Sequence, residues 1–138
     1  ANLNIHLGEY QIMDIVGVYL KRGLSVFDSD GRAYIITSDD YDWEHLPVTF
    51  DEFSNIITER ERSGLTVGIM LYENGEPVTD LLKTTPNKLS VACDLNRRTL
   101  DMNVRRRYTD VSWYIEKFVA PLESDRAVIE WFEFWESR

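Results

Sequence analysis

Two tight turns set the limits of the fold. Asp30-Gly31 and Asn74-Gly75 each lie between β-rich runs, and these dipeptides supply the positive φ that a short reversal needs. A reversal of that kind joins antiparallel neighbours, because parallel strands require a crossover of about a dozen residues or more. The first turn, over residues 28–32, separates the runs 24–27 and 33–37; the second separates residues 65–73 from 77–84. Pro86-Asn87 marks another reversal before residues 88–95, where Leu89, Val91, Cys93 and Leu95 alternate with Lys88, Ser90, Ala92 and Asp94. Asn96-Arg97-Arg98 turns the chain into a run at 99–106, with Leu100, Met102 and Val104 facing inward. Residues 11–20 also read as a strand, from the β-rich Ile12, Ile15, Val16, Val18 and Leu20.

Helical signals are fewer. Thr49 and Glu52 form a capping box, Phe53, Ile56, Ile57 and Arg60 follow at helical spacing, and Gly64 is a stop, which predicts a helix over 50–62. Asp110 is an N-cap for the stripe Val111, Tyr114, Ile115, Phe118 and Val119, and Pro121 is expected to end that helix. In residues 127–138, Glu130, Glu133 and Glu136 fall on one helical face, with Val128, Trp131, Phe132 and Trp135 opposite, so a third helix is predicted. The expectation is an α+β fold, a mostly antiparallel sheet of about seven strands packed by two to three helices. The 138 residues carry no linker-like tract and read as a single domain, 1–138.

Charge narrows the partners. Asp and Glu number 24 against 15 Lys and Arg, a formal net charge of −9, which repels nucleic acid and anionic membrane surfaces. The lone cysteine, Cys93, permits neither an internal disulfide nor a Cys-based zinc site. Residues 1–10 lack the basic start and apolar run of a signal peptide, and no run approaches the roughly 18 to 20 apolar residues of a membrane span. A cytoplasmic location is expected.

The chemistry-bearing residues are sparse. His6 and His45 are the only histidines, and no HExxH, P-loop, nucleophile elbow or clustered glycine loop occurs. No catalytic residue, metal or cofactor is expected. A small enzyme using His45 and a carboxylate, with Asp42 and Glu44 nearest in sequence, is the alternative.

Three clusters stand out instead. Residues 38–46 read as a polar loop in which Tyr41 and Trp43 are interleaved with Asp39, Asp40, Asp42 and Glu44; these six are the candidate partner-binding residues. Trp and Tyr favour interface centres and carboxylates complement a basic site; the plain alternative is a solvated loop whose Trp43 tucks into the core. Arg97, Arg98, Arg105, Arg106 and Arg107 form a basic cluster that either meets phosphate or compensates the acidic excess elsewhere. Trp131, Phe132, Phe134 and Trp135 are core, or the contact of a homodimer or a self-associating adaptor or subunit.

In its small size, acidity, absence of a catalytic set, and Asp39-Asp40-Tyr41-Asp42-Trp43-Glu44, the chain resembles bacterial immunity proteins that neutralise nuclease toxins of the contact-dependent growth inhibition and colicin types. The resemblance is one of profile across the chain. It implies a one-to-one inhibitor that covers the basic substrate-binding surface of a cationic toxin, plausibly a ribonuclease.

Overall fold

The computed structural model describes residues 1–93, 99, 109–124 and 129–136. In chain order its elements are β1 (Asn2–Leu7), α1 (Ile12–Lys21), β2 (Ala33–Ile36), β3 (Trp43–Leu46), α2 (Phe50–Arg62), β4 (Val67–Glu73), β5 (Glu76–Thr85) and β6 (Lys88–Ala92). They are followed by α3 (Val111–Tyr114), a π turn (Ile115–Val119), α4 (Ala120–Ser124) and β7 (Ile129–Trp135). The strands form one seven-stranded sheet in the order β3-β2-β4-β5-β6-β1-β7, every pair antiparallel. This is the α+β architecture expected from the turns. Asn74 and Gly75 take φ of +53° and +81° between β4 and β5, while the 28–32 turn closes on a single bridge, Phe27 to Ala33; the run 24–27, expected as a strand, makes only isolated bridges there and from Ser25 to Tyr72.

The register sorts the side chains into two faces, because they alternate along every strand. Ile35, Ile69, Leu81, Val91, Leu3 and Phe134 form one continuous row across six strands. The helices pack on that face, contributing Ile12, Ile15, Val16 and Tyr19, then Phe53 and Ile57, then Tyr114, Phe118 and Leu122 to the same core. The opposite row runs Gly68, Leu82, Ser90, Asn4, Glu133, and none of the described helices covers it. Cys93 is a buried thiol at the end of β6.

Helix α2 has the predicted limits, with both halves of the Thr49–Glu52 box in place. Other segments differ from expectation. Residues 11–20 are not a strand: Ile12, Ile15, Val16 and Tyr19 recur at i, i+3, i+4 and i+7, and burial of that stripe outweighs the weak β preference of branched residues. The Tyr19 hydroxyl donates to the Phe118 carbonyl at 2.7 Å, and burial pushes its pKa up. The first residues form β1, between β6 and β7, so His6 is on a strand inside the sheet.

Residues 127–138 are not a helix where described; Ile129–Trp135 is β7, because pairing with β1 satisfies its backbone and puts Phe132 and Phe134 beside Ile5 and Leu3. Nor does Pro121 end its helix. Lacking an N–H, Pro121 cannot bond the Lys117 carbonyl. The ladder over Ile115–Val119 widens to π spacing instead, the Ala120 N–H reaching Ile115, and the chain stays helical to Ser124. The stripe ahead of it buries Phe118, Tyr114 and Val119, with Val111 and Ile115 only half-buried. The turn at 96–98 and the run 99–106, with Arg97, Arg98, Arg105, Arg106 and Arg107, lie outside the described residues except for Thr99, which bridges Thr109.

Candidate protein-binding site

The expected loop at 38–46 is a short turn followed by an edge strand, β3. Thr37 N–H donates to the Asp42 carbonyl at 3.0 Å, Asp42 N–H to Ser38 Oγ at 3.2 Å, and the Ser38 hydroxyl to Asp42 Oδ2 at 3.1 Å. Closing this turn holds Tyr41 at φ +61°, the left-handed region that bulky residues seldom occupy. Tyr41 is 60% exposed. From below, the buried Arg60 of α2 donates through Nε and Nη2 to the Thr66 carbonyl (3.2 and 2.9 Å) and through Nη2 to the Ser38 carbonyl (3.2 Å). Arg60 thereby fixes the turn to the end of α2. Its helical spacing was legible in the sequence; this positioning role was not.

Strand alternation then divides the candidates. Trp43 and His45 fall on the helix-free face, Glu44 and Leu46 on the other. Trp43 lies opposite Ile36, its ring 5.3 Å from that of Tyr34. The indole covers Gly68, where an added Cβ would stand 2.9 Å from Trp43 Cη2 and 2.6 Å from Ile36 Cδ1. Trp43 is therefore half-buried against the sheet, lying outside the helix-covered core. Gly68→Ala is expected to lower stability by about 1 kcal/mol through this overpacking. Urea denaturation would show it as a reduced midpoint at unchanged slope, and an unchanged midpoint would mean that Ile36 and Trp43 yield freely.

His45 does not meet the carboxylates nearest it in sequence. Glu44 projects to the other side of β3, and Asp42 is engaged with Ser38. His45 stacks on Tyr34 at 4.1 Å, with Nδ1 4.0 Å from Asp28 Oδ2. The Asp28 carboxyl is held below its usual pKa, first by the Arg32 backbone N–H and also by that of Asp30, both donating to Oδ1 at 2.9 Å. What this adds to stability is present above the unfolded carboxylate pKa and lost as pH falls through the lowered folded value.

Asp39, Asp40, Asp42 and Glu44 are all exposed, and no ion pair joins them to a base among the described residues. Together with Tyr41 they form an acidic rim at the β3 edge. No group of three or more His, Cys, Asp and Glu suited to a metal occurs among the described residues.

The other edge carries a second cluster: a helix would set Glu133 opposite the grouped aromatics, whereas the strand brings Glu133 onto the face of Trp131 and Trp135 and turns Phe132 to the other. On β7, Trp131 is 51% exposed, Phe132 41% and Trp135 61%. Trp131 stacks on His6 with ring centroids 3.6 Å apart, and His6 Nε2 lies 3.4 Å from Glu133 Oε1. No protein-family model, curated protein or solved structure matches the chain.

Proposed function

We propose that the protein is an inhibitory binding protein, an immunity protein that neutralises a cationic nuclease toxin of the ribonuclease kind by occluding its basic substrate-binding surface. The observation that carries this reading is the acidic rim. Exposed carboxylates that no cation among the described residues pairs surround a tyrosine that the turn holds outward in an unfavourable backbone conformation. Strain of this kind persists where the surroundings enforce it, and it concentrates at functional positions. The carboxylates would stand in for substrate phosphates and steer a basic partner inward. Tyr41 would supply the aromatic anchor, with Trp43 following it on β3 as a second aromatic at this edge.

The test is one-to-one mixing with a basic nuclease domain encoded beside this chain. Nuclease activity should disappear at equimolar protein; activity that persists in excess protein would sink the proposal. Replacing Asp39, Asp40 and Asp42 by Asn should slow association about tenfold at low salt and flatten its salt dependence. Tyr41→Gly separates stability from binding. Removing the left-handed strain should raise stability by up to about 1 kcal/mol, while loss of the ring weakens the complex. Calorimetry of the free protein and dissociation kinetics of the complex would read the two effects, which should have opposite signs.

A further inference from the structure

β7 is the outermost strand opposite β3, and no described residue pairs with its outer edge. Open edges offer unpaired N–H and C=O groups to another chain, and most proteins blunt them. Here the edge is seven residues long and carries large exposed aromatics. Trp131, Glu133 and Trp135 share the helix-free face, pairing with His6, Asn4 and Asn2 of β1. Residues two apart on a strand lie about 7 Å from each other, so a carboxylate sits between two indoles. His6, on the inner neighbour, covers one face of Trp131, leaving the opposite ring face turned toward the open edge. Glu133 uses Oε1 toward His6, and its Oε2 has no donor among the described residues.

An aromatic–carboxylate–aromatic triplet is matched to a cation. The ring faces attract it electrostatically, and the carboxylate completes the charge. We infer that the outer edge of β7 binds an extended segment of a cationic partner protein, added as a further antiparallel or parallel strand with an arginine or lysine against Glu133 between Trp131 and Trp135. Main-chain pairing would supply affinity and the Glu133 position would supply selectivity. A second copy of this chain fits less well. Antiparallel self-pairing about Phe132 would set the two Glu133 carboxylates diagonally against each other, in chains that each carry −9. The inference rests on the reading of the protein as a binder of basic proteins, and it places a contact at the edge opposite the acidic rim.

The experiment uses the full chain and a fluorescently labelled peptide of about nine residues alternating arginine with valine, enough to span the strand. A glutamate–valine peptide is the control, and binding is read by anisotropy. The arginine peptide should bind and the control should not. Glu133→Gln and Trp135→Ala should each weaken binding about tenfold. Both positions are at least partly exposed, so thermal midpoints should stay near the parent value. Asp39→Asn, Asp40→Asn and Asp42→Asn together should leave peptide binding unchanged, which separates this site from the acidic rim and from general attraction to an acidic protein. Equal binding by both peptides, indifference to the β7 variants, or dependence on the rim acids would overturn the inference. So would a dimer in sedimentation that Trp135→Ala dissociates, since a second copy would then occupy the edge.

Discussion

Glu61→Ala is expected to destabilise the protein by about 3 kcal/mol, the lower end for breaking a buried ion pair. The side chains of Glu61 and Lys83 are 17% and 11% exposed, enough access to water to temper the loss. Glu61 Oε2 takes two donors, Lys83 Nζ at 2.7 Å and the Ile12 N–H at 2.8 Å. The second bond caps α1, whose own N-cap residue, Gln11, makes no side-chain capping bond. One carboxylate in the last turn of α2 therefore satisfies the first turn of α1 and neutralises a lysine of β5. Removing it leaves Lys83 against the Tyr10 carbonyl at 3.0 Å and 4.0 Å above the Tyr10 ring, with no carboxylate among the described residues opposing its charge. Lys83→Met should cost less, about 1 kcal/mol, because Glu61 keeps its bond to Ile12 and the aliphatic stem is preserved. Urea denaturation of both variants gives the comparison. Equal losses would mean that the cap at Ile12 contributes nothing beyond the ion pair.

That joint was invisible in the sequence, and the reason applies to the fold more widely. Elements whose signals are local were legible. The α2 limits follow from Thr49 and Glu52, and β4, β5 and β6 follow from Asn74-Gly75, Pro86-Asn87 and the alternation of Leu89, Val91 and Cys93. Elements defined by a distant partner were not. β1 and β7 are strands because they pair with each other across most of the chain length, and β1 pairs on its other side with β6. The triplet spacing of Glu130, Glu133 and Glu136 suits a helix equally well until that pairing exists. Residues 11–20 failed differently. Their apolar stripe is helical in period, but Ile12, Ile15, Val16 and Val18 are β-branched and carry a competing strand signal, and the stripe is completed by Tyr19, whose polar tip makes it a weaker core signal.

Legibility of the candidate site follows the same division. Asp39, Asp40, Tyr41, Asp42 and Glu44 could be picked out by composition, and the fold leaves all five exposed. What composition could not supply was direction. Residues 43–46 are a strand, so Glu44 and His45 part to opposite faces, and the carboxylate beside His45 comes from Asp28, in the turn that leads into the neighbouring β2. The left-handed turn at Tyr41 carries no Gly or Asn signal that could have announced it.

Trp43→Ala is expected to lower stability by about 2 kcal/mol, less than the roughly 3 to 5 kcal/mol typical of a fully buried aromatic, because the indole packs on one side only. Its loss uncovers Gly68 and Ile36 and removes the ring contact with Tyr34. A second change shows whether covering Gly68 is the main term. In the Trp43→Ala background, Gly68→Ala no longer meets Cη2, and Ile36 can turn into the vacated space. The two substitutions should then be non-additive, the second costing little or nothing, with an interaction of about 1 kcal/mol. Simple additivity would place the indole's stabilising contacts elsewhere, on Tyr34. The same variant bears on binding. If Trp43 acts as the support for the turn, Trp43→Ala that is still folded at the assay temperature should bind a cognate toxin more weakly than wild type but more tightly than Tyr41→Gly, because only the latter removes the exposed anchor. A reversed order would make the outward face of Trp43 the anchor and Tyr41 its rim.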